Sequence, residues 1–139
     1  MRGAYQDSVL TAALPAMTIA QPTLLRSGTY YLAETSGGIL VGCGGWSIER
    51  PGSGEVLAGV AHIRHFCVHP EWTRQGVGRA LYTRCRHDAR DFGVTVFECY
   101  STLNGEPFYT ALGFERDRIF AVELPGGIAL ASVRMIAAI

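Results

Sequence analysis

Thr73-Arg-Gln-Gly-Val-Gly-Arg79 is the stretch of this chain best equipped for chemistry. It follows an apolar run ended by Pro70 and opens a segment with helical spacing. A helix start carries several N–H groups without intrahelical partners and a partial positive charge, which together can hold an anion. Gly76 and Gly78 put no Cβ in the way of a ligand approaching the backbone, and Arg74 and Arg79 add charge beside those amides. The composition suits a pyrophosphate. Two other phosphate loops fail on their residues. Leu81 stands where the Gly-x-Gly-x-x-Gly fingerprint needs its third glycine, and all twelve basic residues are arginine, so no Gly-Lys loop exists. The lack of lysine also removes Schiff-base chemistry and a lysine general base. A surface turn whose glycines serve only local geometry is the plainer alternative.

A second set of residues lies downstream, in Asn104-Gly-Glu-Pro-Phe-Tyr-Thr-Ala-Leu-Gly-Phe114. Tyr109 offers a phenolic proton there, or simply packs with Phe108. Asn104 offers an amide, or starts a short helix as its N-cap. Cys43, Cys67, Cys85 and Cys99 are 24, 18 and 14 residues apart, with no Cys-x-x-Cys pair. That spacing favours buried free thiols in a reducing compartment over a secreted disulfide framework.

The elements that must position these groups follow from periodicity and punctuation. Residues 4–25, interrupted by Pro15 and Pro22, suggest one or two short helices. Residues 29–35 and 39–48 flank Ser36-Gly37-Gly38 as a hairpin, and 59–68 forms a third strand. Val77, Leu81, Cys85, Ala89 and Phe92 make one helical stripe closed by Gly93. Residues 94–100 form a strand, 105–112 a short helix closed by Gly113, and 114–124 with 128–138 a terminal hairpin. This order predicts an α/β fold, a mixed, largely antiparallel twisted sheet with flanking helices and a long helix in the middle.

Composition narrows the classes. The 139 residues fit one domain, 1–139, large enough to bury about two thirds of its unfolded surface. Charged residues are 17%, against about 25% in ordinary domains, which argues against a disordered tail or coiled coil. The net charge of zero gives no global field toward nucleic acid or anionic membranes. Arg74, Arg79, Arg84, Arg86 and Arg90 make the long helix basic, but stacking aromatics and net positive charge are missing, so no nucleic-acid partner is expected. No apolar run reaches the roughly 18 residues of a membrane span. Near the N-terminus Asp7 precedes a weak apolar stretch broken by Pro15, unlike a signal peptide, and a cytoplasmic location is expected.

On its two motifs the sequence resembles the GCN5-related N-acetyltransferase (GNAT) superfamily. The signature Arg/Gln-x-x-Gly-x-Gly/Ala after that family's fourth strand matches Thr73–Gly78 except at its first position, where Thr73 stands beside Arg74 and Gln75. The signature Asn-x-x-x-x-Tyr-x-x-x-Gly-Phe matches Asn104, Tyr109, Gly113 and Phe114. Element order agrees over residues 29–138. The family's first strand has no counterpart before residues 4–25, which implies that the chain begins inside the family's first helix. The sheet then lacks an edge strand, or a second chain fills it, as in a homodimer.

The resemblance implies acetyl-coenzyme A as donor and the primary amine of a small molecule or peptide as acceptor, joined by direct attack in a ternary complex without metal. The pantetheine arm would pair with Phe66, Cys67 and Val68, and the pyrophosphate would rest on Arg74, Gln75, Gly76, Val77, Gly78 and Arg79. An N–H near Val68 would stabilise the oxyanion. Tyr109 matches the usual general acid, and Asn104 would meet the pantetheine region or fix the short helix. His62 falls where one branch carries a catalytic glutamate and the arylalkylamine branch a histidine, so it is the candidate base, directly or through water, with Glu98 next in line. A structural histidine is the alternative. His65, Cys67 and His69 would share one face of an ideal strand and could hold zinc, but coenzyme pairing and the family's bulge would break that spacing. A noncatalytic acyl-coenzyme A binding module and a nucleotide-binding domain of another fold are the competing functions.

Overall fold

The first hairpin forms where the turn residues put it. Strand β1 (Tyr30–Glu34) and strand β2 (Leu40–Ser47) run antiparallel from Tyr30 opposite Gly45 to Glu34 opposite Leu40. Between them Thr35 N–H donates to Ile39 O, and Gly38 N–H to Thr35 O, both at 2.9 Å. The computed structural model describes residue 8 and residues 22–139, and it has the expected mixed α/β fold with a six-stranded, mostly antiparallel sheet. Of the N-terminal helices expected over 4–25, helix α1 (Pro22–Arg26) is seen; residues 4–7 and 9–21, and with them the expectation about a missing first strand, lie outside the described residues. The chain falls into two compact units, one within Gln21–Phe97 together with Ala138–Ile139, the other at Glu98–Ala137.

In the first unit, β3 (Val60–Val68) adds antiparallel to β2. Gly45 faces Arg64 and Cys43 faces Cys67, so His65 and Phe66 together oppose the single Gly44. That two-against-one count is a β-bulge, and His65 carries its strain at φ 49°. Phe66 lays its ring against Gly44, where any side chain would collide with it. A short 3-10 turn (Pro70–Trp72) leads into helix α2 (Val77–Asp91). Gly42 lets the start of this helix close onto β2, because a Cβ there would lie 2.8 Å from Val77 Cγ1.

The α2 stripe is buried at Leu81, Cys85 and Ala89, joined by Tyr82 and Gly78. Phe92, expected to continue that stripe, is instead 67% exposed. The helix ends there: Gly93 N–H bonds Arg90 O at 3.0 Å and Val94 N–H bonds Ala89 O at 3.0 Å, turning the chain away. Phe92 keeps an edge contact with Trp46, centroids 6.0 Å apart. Lower on the helix, Asp88 Oδ2 accepts from Tyr31 Oη at 2.7 Å and Arg84 Nε at 2.8 Å, while Trp46 Nε1 donates to Tyr31 Oη at 3.1 Å.

Strand β4 (Val96–Thr102) begins in the first unit and continues into the second from Glu98. It starts two residues later than expected, since Val94 closes α2 and Thr95 N–H donates to Gly59 O at 2.8 Å, both within the first unit. A 3-10 turn (Leu103–Gly105) leads into α3 (Glu106–Ala111). Strands β5 (Glu115–Leu124) and β6 (Ile128–Ala138) form the terminal hairpin, and β6 lies next to β4. Of the four free cysteines, Cys85 and Cys99 are buried as expected, whereas Cys43 is half-buried and Cys67 exposed.

Candidate functional site

The glycine loop folds as a braced turn around two left-handed residues. His69 ends the β2–β3 ladder through its N–H on Val41 O at 2.8 Å, and its Nδ1 accepts from Glu71 N–H at 3.1 Å. Gln75 Nε2 donates to Glu71 O at 3.3 Å, so its amide braces the loop. Arg74 stands at φ 62° and Gly76 at φ 83°. The arginine costs about 1–2 kcal/mol there, since an L side chain crowds the following carbonyl in that region. Strain of this kind clusters where a loop must present itself to a ligand. Gly76 is the N-cap of α2 and contributes no capping side chain, and space for a Cβ on it is open to 4 Å. The first helical bond runs from Ala80 N–H to Gly76 O at 2.9 Å, which leaves the amides of Val77 and Gly78 at the positive end of the helix. This start fits an anion, and Arg74 and Arg79 stand exposed beside it.

The strand that feeds the loop shows how its last amide is used. In an antiparallel ladder, hydrogen-bonded and non-hydrogen-bonded pairs alternate. Val41 and His69 are bonded, so Gly42 and Val68 form the next, non-bonded pair, and the Val68 N–H points away from β2. That is the direction an oxyanion or an extended ligand strand requires. The bulge re-aims the strand just before this point. It also removes the even alternation that a zinc site on His65, Cys67 and His69 would need, and His69 is turned to the Glu71 amide. Among the described residues no group of three or more histidines, cysteines or carboxylates is arranged to hold a metal ion.

His62 lies on the same strand, 2% exposed and directly opposite Ser47. Arg64, also buried, donates from Nη1 to Ser47 Oγ at 2.9 Å, and Ser47 Oγ donates to Glu49 O at 2.8 Å. Burial holds Arg64 below the usual guanidinium range, and His65 is lowered by its own burial and then by the Arg64 charge.

Tyr109, in the other unit, is held from three sides. It is 8% exposed, with Phe108 and Phe114 packed edge-on at centroid distances of 5.0 and 5.5 Å. Its hydroxyl hydrogen-bonds the thiol of Cys99. Burial pushes that thiol up to about 12, the bond from Tyr109 acting in the opposite sense. Cys99 as its partner was not foreseen, although strand alternation alone places Cys99 with the buried Phe97 and Ser101 on one face.

Asn104 is exposed within the 3-10 turn, and the N-cap of α3 is Gly105, so the capping role considered for Asn104 is not what forms. Gly105 is needed there because a Cβ would stand 2.8 Å from Ser101 Oγ. Glu98, the reserve candidate for a base, has its carboxylate engaged: Arg134 Nη2 donates to Oε2 at 2.7 Å, and Arg134 Nη1 also reaches Asp117 Oδ2 at 2.6 Å. One carboxylate oxygen of Glu98 is thus already committed to a guanidinium.

Known proteins supply the frame for this geometry. The family model for the acetyltransferase (GNAT) domain matches residues 26–116. A GCN5-related N-acetyltransferase structure from Rhodopseudomonas palustris aligns with TM-score 0.72 at 19% identity, over 99% of this chain and 79% of that one. Naa20 from Chaetomium thermophilum, solved with a bisubstrate analogue, aligns with TM-score 0.69 at 18% identity, over 95% and 81%. The yncA protein from Salmonella typhimurium, solved with its cofactor acetyl-CoA, aligns with TM-score 0.61 at 21% identity, over 78% and 63%. No curated protein matches the sequence. At these identities the structures speak for the fold, and the model that matches most of the chain speaks for its ancestry: the protein belongs to the GNAT acetyltransferase family.

Proposed function

We propose that residues 1–139 are one cytoplasmic N-acetyltransferase domain that transfers an acetyl group from acetyl-CoA to a primary amine of a small molecule or peptide. The observation that carries this reading is the run from β3 into α2: a bulged strand whose Val68 amide turns outward, followed by a strained loop and a glycine-capped helix start. Phe66, Cys67 and Val68 are the residues to hold the pantetheine arm, with Asn104 an exposed amide for the same region. Arg74, Gly76, Val77, Gly78 and Arg79 are those for the pyrophosphate, with Gln75 bracing the loop. Acetyl-CoA supplies the activated acyl thioester. The Val68 N–H stabilises negative charge on the acyl oxygen, an effect worth about 2.7–4 kcal/mol for one such donor in other enzymes. Tyr109 delivers a proton to the departing sulfur. His62 takes the proton of the acceptor ammonium, directly or through water.

Structural neighbours solved with acetyl-CoA and with a bisubstrate analogue support acetyl-CoA as the donor. The test is thiol release from acetyl-CoA against a panel of small amines and peptide N-termini, with Tyr109→Phe run beside the natural chain. Turnover with at least one acceptor, reduced by about 10²-fold in kcat by the loss of a general acid while donor affinity is kept, is the expected outcome. Tight coenzyme binding with no turnover across the panel would make the chain a binding module instead. Full activity in Tyr109→Phe would remove Tyr109 as the acid.

A further inference from the structure

Strands β2 and β3 place Cys43 and Cys67 directly opposite one another. Val41 and His69, two residues along, form a hydrogen-bonded pair, so by alternation Cys43 and Cys67 form one too. The Cα atoms of such a pair are about 5.5 Å apart, within the span of disulfides, and the Cβ atoms need draw together by only about 1 Å to reach bonding range. The site of a Gly42 side chain faces Val77 and Leu81 of α2, so alternation sends the neighbouring Cys43, and Cys67 opposite it, to the other face of the sheet. Tyr30 reaches the same spot: its hydroxyl donates to Cys43 Sγ at 3.1 Å and lies 3.1 Å from His65 O. Cys67 is exposed and Cys43 half-buried, while Cys85 and Cys99 are enclosed in the core.

We infer that Cys43 and Cys67 are a redox modification site, a thiol pair that exchanges with low-molecular-weight disulfides to close a cross-strand bond between β2 and β3. The exposed Cys67 thiolate attacks one sulfur of the small disulfide, forming a mixed disulfide and releasing one small thiol. The Cys43 sulfur, which accepts a hydrogen bond from the Tyr30 hydroxyl, then attacks Cys67 Sγ and releases the second. Two protein thiols and one small disulfide become one protein disulfide and two small thiols, so both electrons and both protons pass to the small molecule. Partial desolvation and the neighbouring Cys43 sulfur hold the Cys67 thiol above its ordinary range, which makes the exchange faster in mildly alkaline than in neutral solution. The inference is independent of the acyl chemistry, since it uses only the geometry of the two strands.

The experiment treats the whole chain with oxidised glutathione in mildly alkaline buffer, blocks residual thiols with iodoacetamide, and reads intact mass and tryptic peptides. Loss of two hydrogens with no retained glutathione is expected, with the peptides spanning 27–64 and 65–74 joined through Cys43 and Cys67. In Cys43→Ser the reaction should stop with glutathione held on Cys67. Unreacted Cys43 and Cys67, a glutathione adduct that persists on the natural chain, or a bond to Cys85 or Cys99 would each overturn the pairing.

Discussion

Phe114 donates its backbone N–H to the carbonyl of Tyr109 at 3.0 Å while the two rings meet edge to face. Gly113 N–H bonds Thr110 O at 3.1 Å one step inside, so α3 ends in a Schellman turn whose apolar contact is the Tyr109–Phe114 pair itself. The spacing Tyr-x-x-x-Gly-Phe is thus a device for fixing one phenol ring. The turn depends on Gly113 at φ 102°, where no atom lies within 4 Å of an added Cβ and the penalty for a side chain is purely one of backbone conformation. Gly113→Ala should lower unfolding free energy by about 1–2 kcal/mol, read as a shifted urea midpoint with unchanged slope. Acetyl transfer should fall with it if Tyr109 is the acid. An unchanged midpoint would mean that the ring is held without the turn.

Arg74 combines charge with a strained backbone, and the two can be separated. Asparagine tolerates the left-handed region better than other side chains but carries no charge. Arg74→Asn should therefore leave stability equal or slightly higher while weakening binding of coenzyme A, by about tenfold for one lost charge-assisted contact. Calorimetric titration alongside thermal unfolding distinguishes the two effects. Unchanged affinity would place the pyrophosphate away from Arg74.

The order of strands and helices from residue 30 onward was legible because each element has its own signal: Ser36-Gly37-Gly38 for the hairpin, Pro70 for the strand end, Gly93 and Gly113 for the helix ends. The errors fall where tertiary hydrogen bonding overrides local pattern. Phe92 has the right period for the α2 stripe yet sits on the cap residue, and Val94 reads as strand yet spends its amide on closing the helix. The two signatures pointed to the loop and to Tyr109. They were silent on Cys99, which meets a helix residue through tertiary packing, and on the Tyr30 hydroxyl between Cys43 and His65 and the Arg134 clasp of Glu98, which are cross-strand relations that one sequence encodes only through register.

Acid should weaken the link between β1 and α2. Arg84, Tyr31 and His87 hold the Asp88 carboxyl well below the ordinary aspartate range. A depressed carboxyl stabilises the fold above its unfolded pKa, near 3.9, and the contribution is lost as pH falls through the lower folded value. Tyr31 works at the other end. Burial and then the Asp88 bond push it up to about 12, so its contribution is complete below about 10 and lost as pH rises through about 12. Asp88→Asn should cost about 1 kcal/mol at neutral pH, the net worth of one such hydrogen bond, and the difference from the natural chain should close in strong acid. Urea unfolding at the two pH values checks this; a gap that stays constant would assign the loss to packing.

The last prediction concerns His62, whose burial opposite Ser47 fits a structural histidine as readily as a base. A change of rate alone cannot separate these roles, but a pH profile can. A histidine base imposes an acid limb on kcat/KM, because its imidazolium cannot accept a proton. The acceptor amine adds its own limb, and two acceptors of different basicity are needed, since only a limb common to both belongs to the protein. In His62→Gln that shared limb should vanish. The rate at neutral pH should fall by about 10²–10³-fold and recover at high pH, where the amine is already neutral. A structural role predicts instead a uniform loss across pH and a lowered unfolding midpoint. If the limb survives in His62→Gln, Glu98 is a poor successor because Arg134 already occupies its carboxylate, and a water chain along the strands becomes the carrier of the proton.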